Sequence, residues 1–177
     1  MPLVVLDPLP VEIESLLERR RRLGLDGCDE IWDGVLHVNP SPHGRHHRIQ
    51  QQLAELLGPL ALAAGLIPAM GDFNIGDEDN YRIPDGGLHR PGPDELFYPT
   101  VALAVEIVSP GDETWKKLPF YAAREVDEVL IVDPLECVVH WLGLRDGEYE
   151  PIERSALIDY GPALLAEQID WSGPVGR

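Results

Sequence analysis

Apolar positions recur at helical spacing in three parts of the chain. Residues 10–23 carry an apolar side chain every three to four positions, with Glu and Arg between them, which predicts an amphipathic helix. A longer helix is predicted from about Arg45, and Gly58-Pro59 is expected to kink or split it. Residues 113–124 predict a third, shorter helix.

The third helical segment combines an apolar face with an awkwardly placed proline. Trp115, Leu118 and Tyr121 are spaced to form the apolar face, and residues 112–114 can cap the helix. Pro119 lies inside the segment, so it is expected to delay the start of the helix or bend it.

Runs of β-branched and apolar residues predict the strands. Residues 30–38 hold two such runs around Asp33-Gly34, the preferred pair for a two-residue hairpin turn. Residues 66–90 predict several short strands, and segments 101–108 and 128–134 are typical of strands buried on both faces. Together these elements predict one mixed α/β domain spanning the whole chain, with helices flanking a sheet.

Composition narrows the class of protein. In 177 residues, 14 Lys and Arg stand against 31 Asp and Glu, a formal charge of −17 that disfavours broad, non-specific adhesion to nucleic acid. No apolar run is long enough to span a membrane, and the N-terminus lacks the pattern of a secretion signal. Cys28 and Cys137 show no CxxC spacing, which indicates reduced thiols and predicts a cytoplasmic protein.

One acidic side chain stands inside the most apolar segment. Glu106 lies within residues 101–110, where an unpaired ion would cost several kcal/mol. Protonation, a cation such as Arg82, or a metal must neutralise it. Asp85 follows another short apolar run, and two acids on neighbouring strands would form the kind of site that Mg²⁺ uses.

Metal-assisted phosphodiester cleavage also needs a cation to stabilise developing negative charge. Residues two apart share a strand face, so a lysine beside Glu106 would stand at position 108, which is Val108. The nearest cations are Lys116 and Lys117, at the start of the third helical segment. Lys117 and Tyr121 are predicted to lie one helical turn apart on one face.

Several short motifs follow one another in a recognisable order. They are Trp32-Asp33-Gly34, Pro40-Ser41-Pro42, His46, Pro84-Asp85, Glu106-Ile107-Val108-Ser109-Pro110, Lys117-Leu118, Tyr121-Ala122 and Ile131-Val132-Asp133-Pro134. In this order, over about residues 10–170, the chain resembles the Uma-type restriction endonuclease family of the PD-(D/E)xK nuclease superfamily. The resemblance implies a restriction-endonuclease-like α/β core with a central mixed β-sheet.

The reaction that the resemblance implies is metal-dependent hydrolysis of nucleic-acid phosphodiester bonds, with DNA as the expected substrate. Mg²⁺ or Mn²⁺ is the implied cofactor. Asp85 and Glu106 are implied as catalytic metal ligands, and the backbone carbonyl of Ile107 as a further ligand. A homodimer would suit cleavage of both strands of a duplex, although the sequence itself leaves the oligomeric state open.

Three more residues receive catalytic roles from the resemblance. Lys117 matches a family lysine and is the implied substitute for the one missing at Val108, while Lys116 competes for that role. Glu30 matches an acid that joins the catalytic cluster, and His46 matches the histidine that opens the long helix. From the residues alone, Glu30 could instead be a charge at the hairpin edge, and His46 could bond to a helix end.

The segment after Asp85 departs from the family pattern. Gly86-Gly87 replace the usual apolar residues, so this strand is expected to be bent or loosened. This departure and the acidic charge keep a second hypothesis open, in which a nuclease-like scaffold binds a partner without cutting it.

Overall fold

The computed structural model of the protein describes residues 11–39, 44–111 and 113–172. Pro40-Ser41-Pro42 and the predicted capping residue Asp112 lie outside these ranges. The helices are α1 (Val11–Arg22), α2 (Gly44–Ala63), α3 (Leu118–Ala123) and α4 (Pro162–Gln168), with a 3₁₀ helix (Thr114–Lys117) directly before α3. The strands are β1 (Glu30–Trp32), β2 (Val35–His37), β3 (Ile67–Ala69), β4 (Asn74–Asp77), β5 (Asn80–Arg82), β6 (Gly86–His89), β7 (Phe97–Tyr98), β8 (Leu103–Ile107), β9 (Glu128–Asp133), β10 (Val138–Arg145) and β11 (Glu148–Pro151).

The strands of the described residues form two mixed sheets. The larger has the order β11-β10-β9-β8-β6-β3, in which β8 and β9 run parallel and the other neighbours antiparallel. The smaller has the order β2-β1-β5-β4-β7, and its β4–β7 pair is parallel. The predicted fold class, a mixed α/β structure with helices against a central sheet, is confirmed.

Strand β8 divides the core into two layers. Its odd-numbered residues pack in a cluster with α2 and α4, among them Leu103, Val105 and Ile107. Ala104 packs on the opposite side, in a cluster that includes Tyr121 of α3. Because side chains alternate along a strand, Glu106 shares the face of Ala104 and points towards α3. The sequence pattern could not distinguish the two faces, since both are apolar.

Helix α2 runs without a break through Gly58-Pro59, so the expected split does not occur. Pro59 removes one backbone hydrogen bond, but Leu57 and Ala61 on either side of it are fully buried in the same cluster. Burial of one continuous apolar face outweighs the lost bond, because packing supplies most helical stability in proteins.

The third helical segment begins as a 3₁₀ turn, and Pro119 stands at the start of the α-helix, as a delayed helix requires. Glu113 makes no capping bond, so the predicted cap is wrong for this residue. Trp115 is 48% exposed and does not lie on a buried apolar face. Its ring lies instead against that of His140, an exposed residue of β10.

Strand β6 is regular and fully buried, so the expected loosening at Gly86-Gly87 is wrong. A Cβ at position 86 would lie 2.6 Å from the sulfur of Met70, and one at position 87 would lie 2.5 Å from the carbonyl oxygen of Leu103. The two glycines therefore permit a close approach between neighbouring segments.

The remaining points of comparison with the sequence are one hairpin, one helix and membrane spanning. The hairpin at Asp33-Gly34 is confirmed, with positive φ at both residues as its turn requires. Helix α4 was missed, because the pattern from Gly161 to Trp171 is weak. In the described part of the chain, no helix is long and apolar enough to cross a bilayer.

Candidate active site

Asp85 and Glu106 lie side by side where β6 begins and β8 ends, on two neighbouring strands inside the larger sheet. Gly86 pairs with Val105 in the antiparallel β6–β8 ladder, so one further step along it sets Asp85 opposite Glu106. Residues opposite each other in such a ladder have Cβ atoms about 5 Å apart. The Ile107 backbone N–H donates to Asp85 Oδ2 at 2.6 Å, which fixes the Asp85 carboxylate beside β8.

Glu106 is buried, with 3% of its surface exposed, and both of its oxygens accept bonds from the segment around α3. The hydroxyl of Tyr121 donates to Oε1, and the Lys117 ammonium lies 3.1 Å from each oxygen. Arg82, the alternative partner considered from the sequence, is stacked between the rings of Trp32 and Phe120, with its guanidinium 4.4 and 4.1 Å from their centroids. The cation paired with Glu106 is therefore Lys117, and not Arg82.

Glu30 is the third acid of the cluster and is almost fully buried, so it is not a charge at the hairpin edge. Its Oε1 lies 2.9 Å from the Lys117 ammonium and accepts the Ile83 backbone N–H at 2.6 Å. Its Oε2 accepts the indole N–H of Trp32 at 2.7 Å. The β1–β2 hairpin thus delivers an oriented carboxylate to the end of β8.

The two candidate lysines are separated by their surroundings. Lys117 is largely buried and also donates to the Ile83 carbonyl at 3.3 Å, so it lies inside the acidic cluster. Lys116 has a side chain 69% exposed and pairs with Glu113, a neighbour on the same turn. The geometry therefore brings Lys117, and not Lys116, to the two acids.

Negative charge exceeds positive charge inside this cluster. Three carboxylates, those of Glu30, Asp85 and Glu106, surround the single ammonium of Lys117. Burial, opposed by Lys117 and reinforced by the other two acids, raises the pKa of Glu106 to about 8. The pKa of Lys117 is raised because the carboxylates of Glu106 and Glu30 outweigh the effect of its burial. The lysine therefore stays charged, and the crowding of the three acids favours the protonated form of Glu106.

His46 and Gln50 hold Asp85 from the other face of the sheet. Both stand in the first turns of α2. His46 Nε2 lies 2.9 Å from Asp85 Oδ1, and Gln50 donates to the Asp85 backbone carbonyl at 2.6 Å. His46 is buried, and its Nδ1 has no hydrogen-bond partner among the described residues, so Nε2 is the ring atom through which it holds Asp85. His46 does not serve to bond a helix end.

Three residues of the site were not among the predicted site residues. Tyr121 was expected only to share a face with Lys117, Trp32 was named only as part of a motif, and Gln50 carried no signal. Trp32 and Tyr121 both belong to motifs that carry the family resemblance, and that membership is the signal that could have identified them as site residues.

A hard divalent cation fits the chemistry of the donor set. Among residues 11–39, 44–111 and 113–172, no three His, Cys, Asp or Glu side chains are arranged together as a metal-binding group. Asp85 and Glu106 nevertheless supply carboxylate oxygens at the neighbouring ends of β6 and β8. A divalent ion would balance the surplus of acidic groups there. The oxygen-only character of these two ligands favours Mg²⁺ or Mn²⁺ over softer metals.

A solved structure and a family model relate the chain to known proteins. A crystal structure from Anabaena variabilis, described as a "putative nuclease belonging to DUF820", superposes with a TM-score of 0.66 at 15% identity, covering 79% of this chain and 90% of that one. That similarity shows a shared fold. The Uma2 family model, described as "Putative restriction endonuclease", matches residues 26–168, so the chain belongs to this family. No curated protein matches the chain.

Proposed function

We propose that this protein is a divalent-metal-dependent endonuclease that hydrolyses phosphodiester bonds in DNA, with a PD-(D/E)xK-type site whose lysine comes from the 3₁₀ turn before α3. The carrying observation is the buried ammonium of Lys117, which contacts Glu106 and Glu30 beside Asp85. A lysine two residues after Glu106 is impossible here because that position is Val108. Lys117 reaches the same carboxylate from another element.

Asp85 and Glu106 are the side chains that would hold Mg²⁺ or Mn²⁺, with the backbone carbonyl of Ile107 as the further ligand. When bound, such an ion polarises a phosphoryl oxygen and makes hydroxide available near neutral pH. The Ile107 N–H and His46 keep the Asp85 carboxylate oriented in advance, from 2.6 and 2.9 Å. Preorganised ligands of this kind avoid a cost of reorganisation during the reaction.

Lys117 has the geometry of an electrostatic group and not of a proton acceptor. Its ammonium is placed between two carboxylates that keep it protonated. It therefore orients the attacking water and balances the charge that develops on the phosphoryl oxygens. Glu30 acts through Lys117, because its own oxygens are bonded to that ammonium, to Trp32 and to a backbone N–H.

Cleavage of supercoiled plasmid tests the proposal. The wild type, incubated with Mn²⁺ or Mg²⁺, should convert plasmid to nicked and linear forms, and EDTA should stop the conversion. Glu106→Ala should be inactive, while Glu128→Gln, a change at another buried glutamate, should keep its activity. Equal activity of Glu106→Ala and the wild type would refute the assignment of the site. Cleavage that goes directly to the linear form would support action as a homodimer.

A non-cutting scaffold is the second candidate, and two observations favour it. The formal charge is −17, and both oxygens of Glu106 already accept bonds from protein donors. Such a protein would bind its partner through the same fold and leave plasmid intact in every metal tested. Absence of cleavage by a folded wild type would decide for this candidate.

A further inference from the structure

Trp115 presents a large aromatic surface beside the candidate site. It stands two residues before Lys117 on the same 3₁₀ turn, and 48% of its surface is exposed. Its ring contacts that of His140 in an edge-to-face arrangement, with centroids 5.2 Å apart and planes at 73°. His140 is exposed as well. The pair therefore forms a supported aromatic surface that remains open to a ligand.

The sheet register relates this pair to the acidic cluster. Glu106 pairs with Ile131 in the β8–β9 ladder, and Ile131 pairs with His140 in the β9–β10 ladder. Paired residues of adjacent strands point to the same face, so Glu106, Ile131 and His140 form one row across the sheet. Two strand spacings separate the ends of this row, a distance of about 10 Å. The 3₁₀ helix lies along the row, with Lys117 at one end and Trp115 at the other.

We propose that Trp115, supported by His140, is a stacking platform for an unpaired nucleobase of the substrate strand. The proposal rests on the endonuclease function above. A strand rises about 3.4 Å per nucleotide, so the platform would receive a base about three nucleotides from the phosphate at Lys117. Stacking suits this protein, because every base offers a π-face and the contact needs no positive charge. Lys116, the adjacent cation, is engaged by Glu113.

Equilibrium binding of a fluorescein-labelled single-stranded 12-mer tests the platform independently of catalysis. Anisotropy would be measured in Ca²⁺ buffer, which supplies a hard cation, and gels would verify that the strand stays intact. Trp115→Ala should weaken binding about tenfold, the size of one base–aromatic stack, and Trp115→Phe about twofold to threefold. Leu62→Ala, a matched loss of an exposed apolar side chain on α2, should bind like the wild type.

A strand with one abasic position, moved along the 12-mer, supplies the decisive comparison. At one position, removal of the base should weaken binding by the wild type about tenfold. The same removal should cause no further loss of affinity in Trp115→Ala. Unchanged binding by Trp115→Ala would overturn the platform, as would an abasic penalty equal in both proteins, or no binding of any strand by the wild type. These outcomes are distinct from failure of the nuclease assignment, which the Glu106→Ala cleavage assay reports.

Discussion

Two buried glutamates stand on neighbouring strands and have opposite surroundings. Glu106 on β8 and Glu128 on β9 are each 3% exposed. Glu128 accepts the Trp141 indole N–H and the Ala156 backbone N–H, both at 2.8 Å, and these are neutral donors. Glu106 accepts from an ammonium and a phenol and shares its surroundings with two other acids.

The difference distinguishes a carboxylate that the protein itself satisfies from the one that we propose to be functional. Two neutral donors satisfy Glu128 and connect β9 to β10 and to the segment before α4. The group around Glu106 is left with more negative charge than its one lysine can balance, which is costly unless something else binds there. Burial of an acid is therefore a weak sign of function, whereas several acids crowded around one cation are a strong one.

Loss of the Lys117 charge should have the largest effect on stability. Lys117→Met would leave the buried carboxylate of Glu30 without its counter-charge, so the free energy of unfolding should fall by about 3–5 kcal/mol. Urea denaturation at neutral pH measures it. Lys116→Met is the matched control, because that side chain is 69% exposed, and it should change stability by no more than about 0.5 kcal/mol. Equal effects of the two changes would contradict the assignment of Lys117.

Glu106→Gln should lower plasmid cleavage by at least about a hundredfold while the fold persists. The change keeps the shape of the side chain and removes the carboxylate that, in the proposed function, holds the ion. Changes even to supporting groups of a metal site commonly cost 10- to 100-fold. Initial cleavage rates, with circular dichroism as a control for folding, measure the effect. An unfolded Glu106→Gln would show that Glu106 serves structure, as Glu128 does.

Glu128→Gln should lower stability and leave cleavage unchanged, the reverse of what is expected for Glu106→Gln. The amide nitrogen would face one of the two N–H donors, leaving that donor buried without a partner and lowering the free energy of unfolding by about 1–3 kcal/mol. Cleavage per folded molecule should not change, as measured at a temperature where the variant is fully folded. A large loss of cleavage would remove the distinction between the two glutamates.

Tyr121→Phe should have the smallest effect of the series. It removes one donor to Glu106 and leaves the contact with Lys117, so stability should fall by about 1 kcal/mol. Cleavage should fall less than in Glu106→Gln, since the carboxylate itself remains. Thermal unfolding and initial rates, measured side by side, give both numbers. A loss of cleavage as large as that of Glu106→Gln would assign Tyr121 a direct role in the reaction.

The main strands and the three acids could be predicted from the sequence, because each is signalled by a short stretch of neighbouring residues. A lone Glu106 in an apolar run is conspicuous, and the order of short motifs singled out Asp85, Glu30 and Lys117. The choice of Lys117 over Lys116 needed the structure, because one residue of rotation in a 3₁₀ turn decides which ammonium faces inward.

The remaining features depend on contacts between distant parts of the chain. Gln50 meets the backbone of Asp85 across the sheet, and no local pattern encodes that bond. Gly86-Gly87 seemed to weaken a strand, whereas they make room for Met70 and Leu103. Trp115 was expected on an apolar helix face, whereas its ring lies against His140 of β10, a contact that no local pattern encodes.

Calorimetric titration of Mn²⁺ tests most directly whether the acidic cluster is built for a cation. The wild type and Glu128→Gln should each bind about one ion per chain. Glu106→Ala should bind none, since it removes one of the two carboxylates that would hold the ion. Equal binding by Glu106→Ala, or no binding by the folded wild type, would contradict the account.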